Sequence, residues 1–321
     1  MNNDVFDVVL LLALPASGKS EVRNFMINMD PEVLRRDFHI GQNLQLDDFP
    51  YVFIKNRIEE ELKKMGKTLY SKACVGNGNG VLIKLLNEDF KNLVENNKER
   101  PESYAKLMFE RLDRAAKAVN DEHLLSSLDE ETLEKLAVAV EKDCKAQFEE
   151  RLSFYPEDGK VEGKTIVIEM ARGGKDGATM PLQDPMGYQY SIRMFSPEIL
   201  SKATILYIWV TPEESRRKNF ERTDPNDPGS ILNHGVPLQV MLDEYGCDDM
   251  LYLKETSEVP DTITIKSEGQ TYHLPIGVFD NRVDKTTHFR QDPSKWQKEN
   301  IDEVTKAIQE ATDIMYKNYK K

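Results

Sequence analysis

Gly18, Lys19 and Ser20 follow an apolar run, Val8 to Leu14, and a short loop of small residues, Pro15-Ala16-Ser17. This order of residue types suits phosphate chemistry. A buried strand fixes the loop, small residues let backbone N–H groups approach phosphate oxygens, and a helix opening at Lys19 presents its positive end. Lys19 would reach the outer phosphates of a nucleotide, and the Ser20 hydroxyl would ligate Mg²⁺. The usual pattern is Gly, four residues, then Gly-Lys-Ser/Thr, and Ala13 stands where the first glycine belongs. Alanine serves there if its φ stays negative.

Three other stretches carry candidate chemistry. In "LQLDDFPY", Leu44–Tyr51, Asp47 and Asp48 end a segment that follows the first helix. The carboxyl ends of strands in a parallel sheet line the ligand crevice, and a carboxylate there takes the proton of an attacking hydroxyl. Either aspartate fills that role; the competing reading is a capped turn before a helix starting near Tyr51. In "KTIVIEMARGG", Lys164–Gly174, a buried-type strand ends on Glu169, with Arg172 and two glycines after it. Arg172 and Tyr51 are expected substrate contacts, Arg172 through a phosphate or carboxylate. Gly173–Pro181 is small-residue-rich enough to close over a ligand. In "ILYIWVTPEESRRKNFER", Ile205–Arg222, Thr211, Pro212 and Glu214 form a helix start, and Arg216, Arg217 and Arg222 follow on the helix. Arg216 and Arg222 are too far apart in helical phase to share one face. Thr223–Val236 reads as a mobile loop in which His234 is better taken as structural.

The loop "ALPASGKS" resembles that of the P-loop NTPases and departs from their motif at one position. "LQLDDFPY" resembles the D-x-F-Y element of the uridine kinase and phosphoribulokinase group, with Asp47 matched through Phe49 and the pattern interrupted by Pro50. The strand and Arg-rich helix of Ile205–Arg222 resemble the lid region of the nucleoside- and nucleotide-kinase group. The resemblance implies ATP and Mg²⁺ as cofactors, held by Pro15, Ala16, Ser17, Gly18, Lys19 and Ser20, with Glu169 as a second metal ligand. It further implies Arg216 and Arg222 at the transferring phosphoryl group, and Asn281 and Lys285 near the adenine, since the loop after the last strand passes the base in that group. The activity implied is transfer of the γ-phosphate of ATP to a hydroxyl of a small molecule. A nucleotide-dependent switch or assembly ATPase with a partner-binding lobe is the alternative.

Positioning these residues requires an α/β scaffold. Val8–Leu14, Thr165–Met170, Thr204–Val210 and Asp261–Ile265 are short apolar runs suited to a parallel sheet, with a weaker one at Phe38–Leu46. Between them, residues 52–155 are almost wholly helical in pattern, with Leu133, Leu136, Val140, Cys144, Phe148 and Leu152 forming one stripe. The expected architecture is a three-layer α/β/α parallel-sheet P-loop core, residues 1–51 and 156–321, with a helical insertion over 52–155 and a lid-like segment near 212–236. Ser127 and Glu130 read as a capping box, Cys74–Val81 as a connecting loop, and the closing "YKNYKK" as a solvated tail. Ile301, Val304, Ile308, Ala311 and Met315 mark a helix packing on the sheet.

A formal net charge of -13 argues against a duplex nucleic-acid partner. The three cysteines, Cys74, Cys144 and Cys247, are far apart and form no CxxC pair, which points to a reducing, cytoplasmic setting without zinc. The N-terminal apolar run is too short for a membrane anchor and lacks a basic flank.

Overall fold

The computed structural model describes residues 4–70, 78–222 and 235–319. The order begins β1 (Val8–Leu12), α1 (Lys19–Ile27), α2 (Pro31–Phe38), β2 (Gln42–Asp47) and α3 (Phe49–Lys64). It continues through α4 (Gly78–Val94), α5 (Tyr104–Ala118), α6 (Glu130–Ser153), β3 (Lys164–Met170), α7 (Gly187–Arg193) and α8 (Pro197–Leu200). The last elements are β4 (Ala203–Trp209), α9 (Pro212–Arg222), α10 (Leu238–Asp243), α11 (Met250–Glu255), β5 (Thr262–Ser267), β6 (Gln270–Asp280) and α12 (Lys298–Tyr319). Among the described residues, no helix is long and apolar enough to cross a membrane.

The chain divides into two compact units, one of residues 1–43, 162–193 and 197–321, the other of 44–161 and 194–196. The division falls inside β2, eight residues before the boundary expected at 51/52, and again after 161 rather than 155.

The six strands run in the order β2-β3-β1-β4-β6-β5, and all but β2 lie wholly in the first unit. β1 pairs in parallel with β3 (Val8 opposite Ile166) and with β4 (Val8 opposite Ala203), and β4 pairs in parallel with β6. β5 is antiparallel, folded back on β6 as a hairpin. Every residue of β1 is buried, as expected of a strand covered on both faces. Val9 and Leu11 pack with Val22, Phe25 and Met26 of α1 and with Val304, Ile308, Ala311 and Met315 of α12. On the opposite side of β4, Tyr207 meets Tyr188 of α7 edge to face.

Two expectations are corrected here. Asp261–Ile265, read as suited to a parallel sheet, falls in the antiparallel β5, and the parallel partner of β4 on that side is "LPIGVFD" of β6. The closing tyrosines are not a free tail: the Tyr319 hydroxyl donates to Asp7 Oδ2 at 2.9 Å and accepts from its backbone N–H at 3.1 Å. Tyr316 and Tyr319 both lie edge-on to Phe6, and burying those rings draws the last turns of α12 onto the unit.

The second unit is a helical assembly of α3, α4, α5 and α6. Leu136, Val140, Cys144 and Phe148 of α6 are buried against Ile54, Ile58 and Leu62 of α3 and Met108 and Leu112 of α5. α6 starts at a different cap from the expected one: Asp129 accepts from the Thr132 N–H, while Ser127 closes a 3₁₀ turn. The stronger carboxylate acceptor sits next to the helix and takes the cap position. Gly78 to Val81, expected in a loop, lie in the buried first turn of α4, whereas Cys74 and residues 75–77 lie outside the described residues.

Candidate functional site

The loop after β1 turns through two left-handed residues, Ala16 (φ 55°) and Gly18 (φ 102°), and α1 begins at once with Lys19. Ala13 keeps a negative φ, so the alanine in place of glycine costs no backbone strain. The Lys19 ammonium is folded over the loop mouth, donating to the carbonyls of Ala13 (3.3 Å) and Leu14 (3.4 Å). Ser17 closes the turn through its hydroxyl, which donates to Leu14 O at 2.6 Å. Ser20 lies half-buried in the first turn of α1.

Three neighbours hold this loop by hydrogen bonds. The Tyr188 hydroxyl donates to Ala13 O (3.0 Å) and the Ser215 hydroxyl to Pro15 O (2.7 Å). The Asn281 amide donates to Ser17 O at 2.8 Å and to the Thr286 hydroxyl at 3.0 Å. A Cβ on Gly18 would lie 2.4 Å from Thr286 Oγ1 and 2.9 Å from Asn281 Nδ2, so glycine is required for its space as well as its φ. Asn281 therefore supports the loop from below, with its own Oδ1 accepting from Lys285 N, while the Lys285 ammonium caps Asp280 O.

β3 runs beside β1 with Glu169 opposite Leu11, one residue short of the strand end. Its carboxylate accepts from Arg23 of α1 at 3.1 Å. The Ser20 hydroxyl and the Glu169 carboxylate are hard oxygen donors on elements adjacent to the loop, a set that suits Mg²⁺ completed by water and phosphate oxygens. Among the described residues no three His, Cys, Asp or Glu side chains gather as a metal cage.

Arg172 is buried, donating to Ser191 Oγ (3.1 Å) and to Ala171 O (2.7 Å). The glycines after it are pinned by backbone pairing, contrary to the expected closing flap. Gly174 N donates to Cys247 O, Gly246 N to Gly174 O, and Asp176 N to Leu242 O, each at 2.8 Å. A Cβ on Gly173 would sit 2.5 Å from Cys247 O, so these glycines permit close backbone approach.

α9 opens as expected, with Thr211 Oγ1 accepting from Glu214 N at 3.2 Å. Arg216 faces Glu213 (3.3 Å) and Asp176 (3.9 Å), and Arg217 is held by Glu214 and Glu221. Arg222 ends the helix, and its side chain lies outside the described residues, as do His234 and residues 223–233.

The structure adds Asp248, Tyr207 and Tyr188, which sequence reasoning missed. Tyr207 lies opposite Leu12 in β4, and its hydroxyl donates to Asp248 Oδ2 at 2.8 Å, while Met250 N donates to Oδ1 at 2.9 Å. Desolvation pushes the Asp248 carboxyl up to about 6, against the lowering effect of those two donors. The sign follows: a raised acid stabilises the fold fully below its ordinary range, and that contribution is lost as pH rises through about 6. Asp248→Asn keeps an acceptor for Met250 N, and the Tyr207 hydroxyl can turn to accept from the new amide. The variant is expected to melt above the unaltered protein near pH 7.5, with the gain gone near pH 4. Equal melting at both pH values would refute the desolvated carboxyl.

Asp47, Asp48 and Tyr51 belong to the second unit. Asp47 Oδ1 accepts from Phe49 N at 2.8 Å, forming an Asx turn. Asp48 is 6% exposed at the N-cap position of α3, where it makes no side-chain cap bond. The Tyr51 hydroxyl donates to Asp89 Oδ2 at 2.5 Å. Asp89 also receives Arg111 (2.6 Å) and Arg151, and Arg111 is fully buried. Burial would raise the Asp89 carboxyl, but the two guanidinium groups and the Tyr51 hydroxyl outweigh it and hold it below the usual range. Tyr51 is thereby committed to a buried ionic cluster.

In comparisons with protein-family models, curated proteins and solved structures, nothing matches this chain.

Proposed function

We propose that the protein is an ATP- and Mg²⁺-dependent phosphotransferase with a P-loop core, moving the γ-phosphate to a hydroxyl of a small molecule. The observation that supports this most is the loop itself. A fully buried parallel strand delivers a braced turn with Ala16 and Gly18 left-handed, and the next residue, Lys19, opens a helix with its ammonium across the turn. In this reading a bound nucleotide draws Lys19 from the Ala13 and Leu14 carbonyls onto its phosphates, and the N–H groups at the start of α1 face the same charge. Ser20 and Glu169 would hold the metal, which screens the phosphate oxygens. Asp47 or Asp48 takes the proton as the acceptor oxygen bonds to phosphorus and the bond to ADP breaks.

The test is ADP release from Mg-ATP, with and without nucleosides, sugars and small alcohols. Stimulation by one class is the expected result and names the acceptor. Steady ADP release that no acceptor alters would instead support a nucleotide-dependent switch or assembly ATPase. With the acceptor in hand, Asp47→Asn or Asp48→Asn should cut transfer about 100-fold or more while leaving ATP affinity within about twofold. Wild-type transfer rates in both variants would remove the base assignment.

A further inference from the structure

Lys218 is a lysine with almost no contact with water: its side chain is 2% exposed. Its ammonium lies 2.8 Å from Asp284 Oδ1, with Glu214 Oε1 farther off at 3.9 Å. Burying such a pair offers little net stability over an apolar pair of the same shape, so its presence asks for another explanation. Asp284 itself organises the turn after β6. The same Oδ1 accepts from Thr286 N (3.1 Å), Thr286 Oγ1 (3.3 Å) and Thr287 N (3.3 Å). Burial would raise this carboxyl, but Lys218 and the Thr287 hydroxyl hold it well below the usual range.

What Asp284 fixes is Thr286, and Thr286 with Asn281 lies against Gly18 and the Ser17 carbonyl. One turn earlier on the same face of α9, Ser215 holds the Pro15 carbonyl. α9 thus reaches the loop before Lys19 by two routes, directly at Pro15 and through Asp284 at Ser17 and Gly18. We infer that Lys218 and Asp284 are positioning residues for nucleotide phosphates, locking Gly18 in the left-handed conformation that aims the first N–H groups of α1. The inference rests on the phosphate-loop reading above. Neither side chain is assigned to touch the nucleotide; both act through Thr286 and Asn281.

The test is calorimetric titration of the full chain with Mg-ADP, alongside melting without nucleotide, for Lys218→Met, Asp284→Asn and the double variant. Asp284→Asn leaves the buried ammonium only Glu214, and Lys218→Met leaves Asp284 only its threonine donors, so each single variant is expected to melt lower; the double variant removes both charges and should regain most of that loss. ADP affinity separates positioning from mere stability. If the pair positions the loop, the double variant still binds Mg-ADP at least about tenfold more weakly, with faster amide exchange over residues 16–20. A double variant that melts and binds Mg-ADP like the unaltered protein overturns the inference and leaves the phosphate-loop reading standing. Failure of the unaltered protein to bind Mg-ADP overturns that reading, and the positioning role with it.

Discussion

Lys19→Ala is expected to lower acceptor-dependent ADP release on the order of a thousandfold. A preorganised cation aimed at charge that builds on the transferring group is worth two to three powers of ten in comparable sites. The loss should fall mainly on kcat, because in the proposed reading the backbone N–H groups of the loop would still hold phosphate. The fold should survive, because the Ala13 carbonyl that Lys19 caps is also held by the Tyr188 hydroxyl. The experiment pairs turnover with melting temperature. Near-normal turnover in a folded Lys19→Ala protein would end the phosphate-loop reading, since no other residue of the loop carries a charge.

Asp89→Asn is expected to be the most destabilising single change in the helical unit, by about 3–5 kcal/mol. The aspartate neutralises Arg111 and shares Arg151 with Glu99, and both guanidinium groups lie over the Phe148 ring. An amide cannot balance those charges, so the buried Arg111 keeps only Glu88, 3.2 Å from its Nε, and Arg151 keeps only Glu99. Tyr51→Phe removes only one donor and should cost about 1 kcal/mol. Because the Asp89 carboxyl is depressed, its contribution is present at neutral pH and lost as pH falls through its folded value. Urea unfolding at neutral and acid pH reads both effects. A loss below about 1 kcal/mol for Asp89→Asn would mean that the cluster is hydrated rather than buried.

The parts of the fold that were legible in the sequence are those with one local cause. β1, β3 and β4 are runs of apolar residues because both faces are covered, and α6 and α12 show their buried stripes at helical spacing. The start of α9 was legible because a cap is written within four residues. β6 was not, because Pro275 and Gly277 imitate turn residues. Pro275 precedes the stretch that pairs with β4, and a Cβ on Gly277 would lie 2.2 Å from the Ala311 carbonyl, so that glycine admits α12. The candidate site divides in the same way. Pro15 to Ser20 form one contiguous pattern, whereas Lys218 with Asp284, and Tyr207 with Asp248, are pairs whose members are 66 and 41 residues apart. No local periodicity marks them. They become visible only when the sheet order brings the ends of β4 and β6 beside the loop.

The register of β1 also sets a timetable. Val8–Leu12 pairs only with strands that begin at Lys164 and Ala203, while the helices of the second unit lie almost wholly between. During synthesis at roughly 5–20 residues per second, "VVLLL" leaves the ribosome on the order of 10 seconds before its first strand partner. The helical unit, built from near neighbours in sequence, has that interval in which to fold. The loop after β1 is thus made well before the strands that give it its shape, and until they appear its apolar strand has no strand partner.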